Sequence, residues 1–426
     1  MTRMLQQAIL GALKVTRTQT TSAGFWQSFS KREWEHALEW MDLSGLAIYF
    51  ADRLRLSNGL NTLPAPVRAG LEWRRSANLA RTNAILQEFN HLIEAFRNPR
   101  LNYAVLKGIA LVPDYCHAPA LRTQYDHDIF VDAPSLNAAE TALQSAGYRR
   151  KNGREGETEV VYRRPEPQLR FARMSEGLYS PELNRSIEIH LTLWESNEEK
   201  IQVNLSDDFL ARRVIRSWNG LEFPALCDED SLLFQVLHAF KHILRNWCRL
   251  SIFHEIGHFL ERRAADRSFW EAFAERIGNL MWAPEATLVV FTLAERLFGA
   301  TVPPRLQEML NTTHTPAIRL WVERYGRQAA LNNFHGNKCS LFLHKEFVES
   351  RLDWALIRRK RLFPIQRPHR PPAAVFQRGF STAGRLWMEN LHAMKRLMFH
   401  GKAGFSYLLQ YPRWTLLRRL RLANYV

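Results

Sequence analysis

Asp126-His127-Asp128-Ile129-Phe130-Val131 is the stretch on which the fold turns. Its second half is a short apolar run suited to a buried strand, and its first half carries two carboxylates two residues apart. Side chains alternate between faces in an extended chain, so Asp126 and Asp128 project to one side and Ile129 to the other. Upstream, Tyr103-Ala104-Val105-Leu106 is a second apolar run, ending in Lys107-Gly108. Downstream, Ser135 stands as an N-cap, Leu136, Ala139 and Leu143 form a helical stripe, and Gly147 closes it. Segments 159–163 and 169–173 read as paired strands. Ile187, Ile189, Leu191 and Leu193 then alternate with Glu188, His190, Thr192 and Trp194, the clearest period of two in the chain. Residues 100–222 therefore read as an α+β block.

Helical periodicity lies on both sides of this block. In residues 1–99, Leu79, Leu86, Phe89, Ile93 and Phe96 recur mostly at three- and four-residue steps before Asn98-Pro99 stops them. From Asp228 the same period returns in Leu232, Leu233, Val236, Leu237 and Phe240, then in Ile252, Ile256, Phe259 and Leu260. Residues 223–356 are expected to form a helical bundle. Residues 357–426 form a basic tail, with Pro364, Pro368, Pro371 and Pro372 as a linker and two amphipathic helices at 380–399 and 405–422. The expected class is α+β, a small mixed-sheet core flanked by N- and C-terminal helical regions.

Composition narrows the function. The chain has 426 residues, 46% of them hydrophobic, enough to bury sizeable cores and to exclude global disorder. Cys116, Cys227, Cys248 and Cys339 are scattered with no C-x-x-C pair, which argues against a disulfide scaffold and fits a reducing, cytoplasmic setting. The first residues show no small-residue cleavage site, so a signal peptide is not expected. No apolar run approaches the roughly 20 residues needed to span a bilayer. The net charge of +16 is uneven: residues 351–426 hold 16 Lys and Arg against Asp353 and Glu389 alone. Such a tail suits nucleic acid, an anionic membrane surface or an acidic partner, or it is a solvated or self-docking face. Trp387, Leu391, Met394, Leu397 and Met398, with a second set at Trp414, Leu416, Leu417 and Leu420, add apolar anchors, which favours peripheral membrane attachment over nucleic acid.

The acids carry the chemistry. Glu188 lies between two core residues, so it occupies an open face or is paired. Three carboxylates on neighbouring strands repel one another unless a cation sits among them, and hard oxygen ligands favour Mg²⁺ or Mn²⁺. The alternative is that Asp126 and Asp128 cap a turn and strand and that Glu188 faces solvent. A strand ending in Lys107-Gly108 before a helix offers an ammonium and backbone N–H groups to phosphates. Arg122 pairs with a phosphate oxygen or is a surface arginine. His190, on the face of Glu188, is a base, a ligand orienter or a structural strand residue.

Taken together, Val105-Leu106-Lys107-Gly108, Leu121-Arg122, Asp126 to Val131, Ala146-Gly147-Tyr148 and Ile187-Glu188-Ile189-His190-Leu191 resemble a family of uncharacterised bacterial nucleotidyltransferases. That family is similar to a branch of the DNA polymerase β-type superfamily, and the resemblance covers about residues 75 to 265. It implies that Asp126, Asp128 and Glu188 are catalytic and hold the metal. It implies phosphate contacts from Lys107, Gly108 and Arg122, an NTP as substrate and a hydroxyl of unknown identity as acceptor. One departure is visible: Gly108 is followed by Ile109, where the superfamily has Gly-Ser or Gly-Gly. The competing reading is a catalytically silent binding or scaffold protein that acts through its tail.

His254-Glu255-Ile256-Gly257-His258 spells a second motif, H-E-x-x-H, which on a helix sets two imidazoles one turn apart for zinc with a glutamate to activate water. The extended form would need Gly at 261 and His at 264, where the chain has Glu261 and Ala264. A zinc peptidase, another metal site using His238 and His242, and plain helix packing are the readings it leaves. No G-x-G-x-x-G after a strand, Walker A loop or G-x-S-x-G elbow is present.

Overall fold

The computed structural model describes residues 2–16, 23–97, 101–151, 158–165, 174–312, 316–331, 337–363 and 382–423. Its centre is one seven-stranded mixed sheet in the order β3-β4-β5-β2-β1-β7-β6. The strands are β1 (Tyr103–Val105), β2 (Asp126–Val131), β3 (Arg149–Arg150), β4 (Glu159–Arg163), β5 (Ser186–His190), β6 (Val214–Trp218) and β7 (Leu221–Ala225). The two apolar runs read from the sequence, β1 and β2, pair antiparallel, and β2 pairs parallel with β5. The sheet continues past residue 222, because Ala225 of β7 pairs with Val105. The strand expected at 169–173 lies outside the described residues; β4 pairs instead with β3 and β5. The α+β class is borne out.

Helices cover both faces of the sheet. The N-terminal region contributes α1 (Lys31–Ser44), α2 (Ala47–Leu56) and the 31-residue α3 (Ala65–Ala95). Ser30 and Glu33 close a capping box at the start of α1, which satisfies backbone N–H groups that have no partner within the helix. α3 lies on the sheet face that carries His127, where Phe89 stacks on the His127 ring at 5.9 Å. A short helix, α4 (Leu136–Ser145), follows β2. The opposite face is covered by α5 (Asp228–Leu244), whose Phe234 sits 6.4 Å from the His190 ring. α6 (Leu250–Arg262) continues the C-terminal helical region.

The tail differs from expectation. It is one helix, α9 (Thr382–Ala423), rather than two; its expected Pro-rich linker lies outside the described residues. Gly401 and Gly404 each weaken a helix by only about 1 kcal/mol. Packing offsets that cost: Tyr407 and Trp414 stack on Phe342 of α7 (Ser340–Phe347), and Arg418 forms a two-bonded pair with Glu346. α8 (Arg351–Leu362) lies between them in sequence.

Behind β2, a buried ionic knot joins α3 to the sheet. Glu88 accepts hydrogen bonds from Tyr148 at 2.6 Å, Arg185 at 2.7 Å and His127 at 3.4 Å. Burial opposes ionisation of Glu88, but these bonds outweigh it and hold its carboxyl down to about 2 from an ordinary 4.5. Its stabilisation is therefore fully present above pH 4.5 and is lost as pH falls toward 2. Glu88→Gln is expected to cost about 3 kcal/mol at neutral pH, because Arg185 is left buried without its counter-charge. Denaturant unfolding checks this: the gap between variant and wild type should close toward about pH 2, and an equal gap at both pH values would exclude the charge as its cause.

Candidate active site

The register of β2 against β5 builds the site. Asp128 stands opposite Glu188, Asp126 opposite Ser186, and Phe130 opposite His190. Because paired positions in adjacent strands share a face, Asp126, Asp128, Glu188 and His190 all project to one side. Glu159 of β4 joins them at the edge, opposite His190, with its carboxylate 3.8 Å from His190 Nδ1. Asp128 is buried, whereas Asp126 and Glu188 remain partly exposed, so the group can be reached from solvent.

Counter-charge is unevenly shared within the group. Lys107 Nζ donates to Asp128 Oδ1 at 2.6 Å, and His190 Nε2 lies 3.0 Å from the same oxygen. Burial opposes ionisation of Asp128, but Lys107 and His190 overcome it and hold its carboxyl below the usual range. Its other oxygen, Oδ2, is buried and has no hydrogen-bond partner. Burial, followed by repulsion from Asp128, pushes Asp126 up to about 6. Burial, followed by Asp126 and Asp128, pushes Glu188 up to about 9. One carboxylate thus has its cations while two lack them. Among the described residues, one ligand atom each from Asp128, Glu188 and His190 lie within 4.8 Å of one another. An orphaned carboxylate oxygen, two carboxyls starved of positive charge and an imidazole fit a divalent cation. His190 stands in that trio where the sequence reading had placed Asp126.

The expected phosphate residues are engaged elsewhere. Gly108 is needed where it stands: its φ is +66°, and a Cβ there would lie 2.7 Å from Gln124 Nε2. The turn it opens, Gly108–Leu111, is a buried four-residue 3₁₀ turn rather than an open helix N-terminus. The Gly108 carbonyl accepts from Arg122 Nη1 at 3.1 Å. Arg122 is not a surface arginine; it is bound in a buried pair to Glu255, Nε to Oε1 at 3.0 Å and Nη2 to Oε2 at 3.2 Å. Burial opposes its charge, but Glu255 outweighs burial and raises its pKa.

This pairing also corrects the zinc-peptidase reading. Glu255 accepts a further 2.7 Å bond from the Tyr49 hydroxyl, so both its oxygens are committed and neither is left to activate a water. His254 is buried between Tyr49 and Phe298, at ring distances of 4.7 and 5.1 Å, and burial pulls its pKa down to about 3. Among the described residues, His254, Glu255 and His258 do not belong to any three-ligand group. The motif's glutamate instead ties α6 to the glycine turn and to α2.

Two arginines beside the acids carry no motif. Arg81 of α3 and Arg249, which precedes α6, each lie over the Tyr125 ring with their guanidinium carbons 4.9 and 5.0 Å from its centroid. Burial and Asp128 raise the pKa of the neighbouring Asp126, and the Arg249 charge offsets part of that rise. On α5, His238 and His242 approach to 3.1 Å between their Nε2 atoms, and His242 Nδ1 bonds the Trp247 carbonyl at 2.6 Å. Burial, then Lys107 and His242, holds His238 neutral. Glu255→Ala should destabilise the fold by about 3–5 kcal/mol, because it strands Arg122 as a buried charge. Arg122→Met in that background should add little, and thermal or denaturant melts of the four proteins in this cycle provide the check. Additive losses would mean that the two side chains do not act as a pair.

Comparison with protein families finds one match, to a family described as uncharacterised nucleotidyltransferase, over residues 30–299. Neither curated proteins nor solved structures yield a match. The matched stretch runs through α1, α2 and α3, the whole sheet and α5 and α6, and so includes both the acidic face and the Arg122–Glu255 tether. It covers well over half of the sequence, and the chain belongs to this family of uncharacterised nucleotidyltransferases.

Proposed function

We propose that the chain moves a nucleoside monophosphate from an NTP to an acceptor hydroxyl, at the face formed by β2 and β5. The observation that carries this reading is the in-register placement of Asp128 opposite Glu188, with Asp126 beside them and too little positive charge for all three. The likeness of the Asp-x-Asp strand and later Glu strand to the DNA polymerase β-type pattern supports it. Asp126, Asp128 and Glu188 would hold Mg²⁺ or Mn²⁺, with His190 completing the ligand set. Such a cation supplies charge neutralisation of the triphosphate and of the leaving pyrophosphate.

The chain's own groups divide the remaining work. Lys107 holds Asp128 ionised and fixed in place. Asp126 and Glu188 both keep partial exposure, and the likeness to the superfamily pattern assigns Glu188, the later acid, to the acceptor hydroxyl. The acceptor oxygen forms its bond to the α-phosphorus and its proton passes to Glu188, whose carboxyl, pushed up to about 9 by burial and its neighbours, would be ionised with a cation among the acids. The bond from the α-phosphorus to the bridging oxygen breaks, and pyrophosphate leaves with that electron pair. Gly108 and Arg122 are engaged within the fold, and Arg249, whose Nη2 bonds Thr123, has its remaining donors and a charge felt at Asp126 to offer the triphosphate.

The test is incubation with each α-labelled NTP, Mg²⁺ and a cell extract, followed by separation of labelled products. Label transfer is expected, with Asp126→Asn, Asp128→Asn and Glu188→Gln each reducing it at least about 100-fold, the scale of several kcal/mol of lost transition-state stabilisation. Mn²⁺ binding, followed by calorimetry without nucleotide, should be lost in Asp128→Asn. Metal-dependent transfer that survives the double substitution Asp126→Ala with Asp128→Ala would overturn the assignment.

A further inference from the structure

The tail helix α9 has two apolar faces, and among the described residues only one is covered. Ala403, Tyr407 and Trp414 are buried against the body. Tyr407 and Trp414 stack on Phe342, and Gln410 and Arg418 bond Tyr325 and Glu346. On the other side Met394, Leu397, Met398, Phe405, Leu409 and Leu416 are exposed, with Leu397 at 75%, Phe405 at 63% and Leu409 at 62%. At 3.6 residues per turn these six fall within an arc of roughly 120°, opposite the docked face. Lys395, Lys402 and Arg413 follow one edge of that arc. A helix in a folded chain ordinarily turns such a stripe inward, so an outward stripe marks a surface that is covered in use.

We infer that this face lies on an anionic membrane surface. Between Asn390 and Leu420 the helix carries Lys395, Arg396, Lys402, Arg413, Arg418 and Arg419 and no Asp or Glu. Of these, Arg418 is paired to the body. Apolar side chains in the middle of the stripe would enter the acyl boundary, while the long cationic stems at its edge reach the headgroups. A second copy fits poorly, because pairing two such stripes brings cations together with no acid between Asn390 and Leu420 on either helix to neutralise them. A nucleic-acid backbone fits poorly as well, because the aliphatic centre of the stripe offers nothing to phosphates. No helix among the described residues is long and apolar enough to cross a bilayer, so the contact is with its surface. The body-side contacts of Tyr407 and Trp414 hold the helix in place, so docking requires no new fold.

The experiment is cosedimentation of the full-length protein with vesicles of phosphatidylcholine alone or containing phosphatidylglycerol. Binding is expected only to the anionic vesicles, and it should weaken at high salt. Phe405→Asp with Leu409→Asp, both at exposed positions, should lower the bound fraction about tenfold or more. Lys402→Glu with Arg413→Glu should lower binding independently of the apolar stripe, and circular dichroism of each variant verifies the fold. Failure of wild type to pellet with anionic vesicles would overturn the inference, as would unchanged pelleting of Phe405→Asp/Leu409→Asp. Self-association abolished by that variant, without vesicle binding, would assign the face to a second copy and overturn it too. Binding to single-stranded RNA that Lys402→Glu/Arg413→Glu removes, without vesicle binding, would do the same.

Discussion

Asp126, Asp128 and Glu188 share one face of two parallel strands, and the repulsion among them organises what surrounds them. Parallel pairing in this register leaves little freedom. A slip of one residue in β2 would exchange its two faces, sending Asp128 toward α3 and His127 toward α5. The fold answers the repulsion only in part: Lys107 and His190 both converge on a single oxygen of Asp128. Asp126 and Glu188 are left with raised pKa values, a pattern typical of sites that await a charged ligand. Local discord of this kind persists only where the rest of the structure over-determines the geometry.

Two buried ionic systems provide that rigidity. Behind the sheet, Glu88 gathers Arg185, Tyr148 and His127, and so binds α3 to β2. In the second, Glu255 gathers Arg122 and Tyr49, and Arg122 holds the Gly108 carbonyl. Buried ion pairs add little net stability over apolar residues of the same size, but removing one partner is expensive. Their effect is to fix positions: Gly108, the strand that leads into it and the acids opposite are held from the N- and C-terminal helical regions together. The family match, from residue 30 to residue 299, spans the same three regions.

The tail follows a different logic. Its docked face uses aromatic stacking, with ring centroids of Phe342 and Trp414 5.4 Å apart, and one two-bonded arginine pair. Its outward face repeats the apolar periodicity without a partner among the described residues. Nearly all of the chain's excess positive charge lies in this part of the sequence, far in sequence from the acids of the sheet.

Much of the fold was legible in the sequence, because secondary structure is written in near neighbours. Alternation in Ile187-Glu188-Ile189-His190 marked β5, and the run 128–131 marked β2. The same alternation put Asp126 and Asp128 on one face and Glu188 with His190 on another, and the tertiary register then made those faces one. The two tail helices expected at 380–399 and 405–422 are one continuous helix, α9. Partner choice was not legible. Arg122 and Glu255 are 133 positions apart, and nothing near either residue names the other. H-E-x-x-H has the spacing of a zinc helix, yet its glutamate is held by Arg122 and Tyr49. Sequence by itself determined which residues alternate, which cap and where the acids lie along their strands, since these depend on backbone geometry over a few residues. Tertiary structure alone decided which cation meets which carboxylate, because electrostatic attraction falls with distance through space and takes no account of distance along the chain.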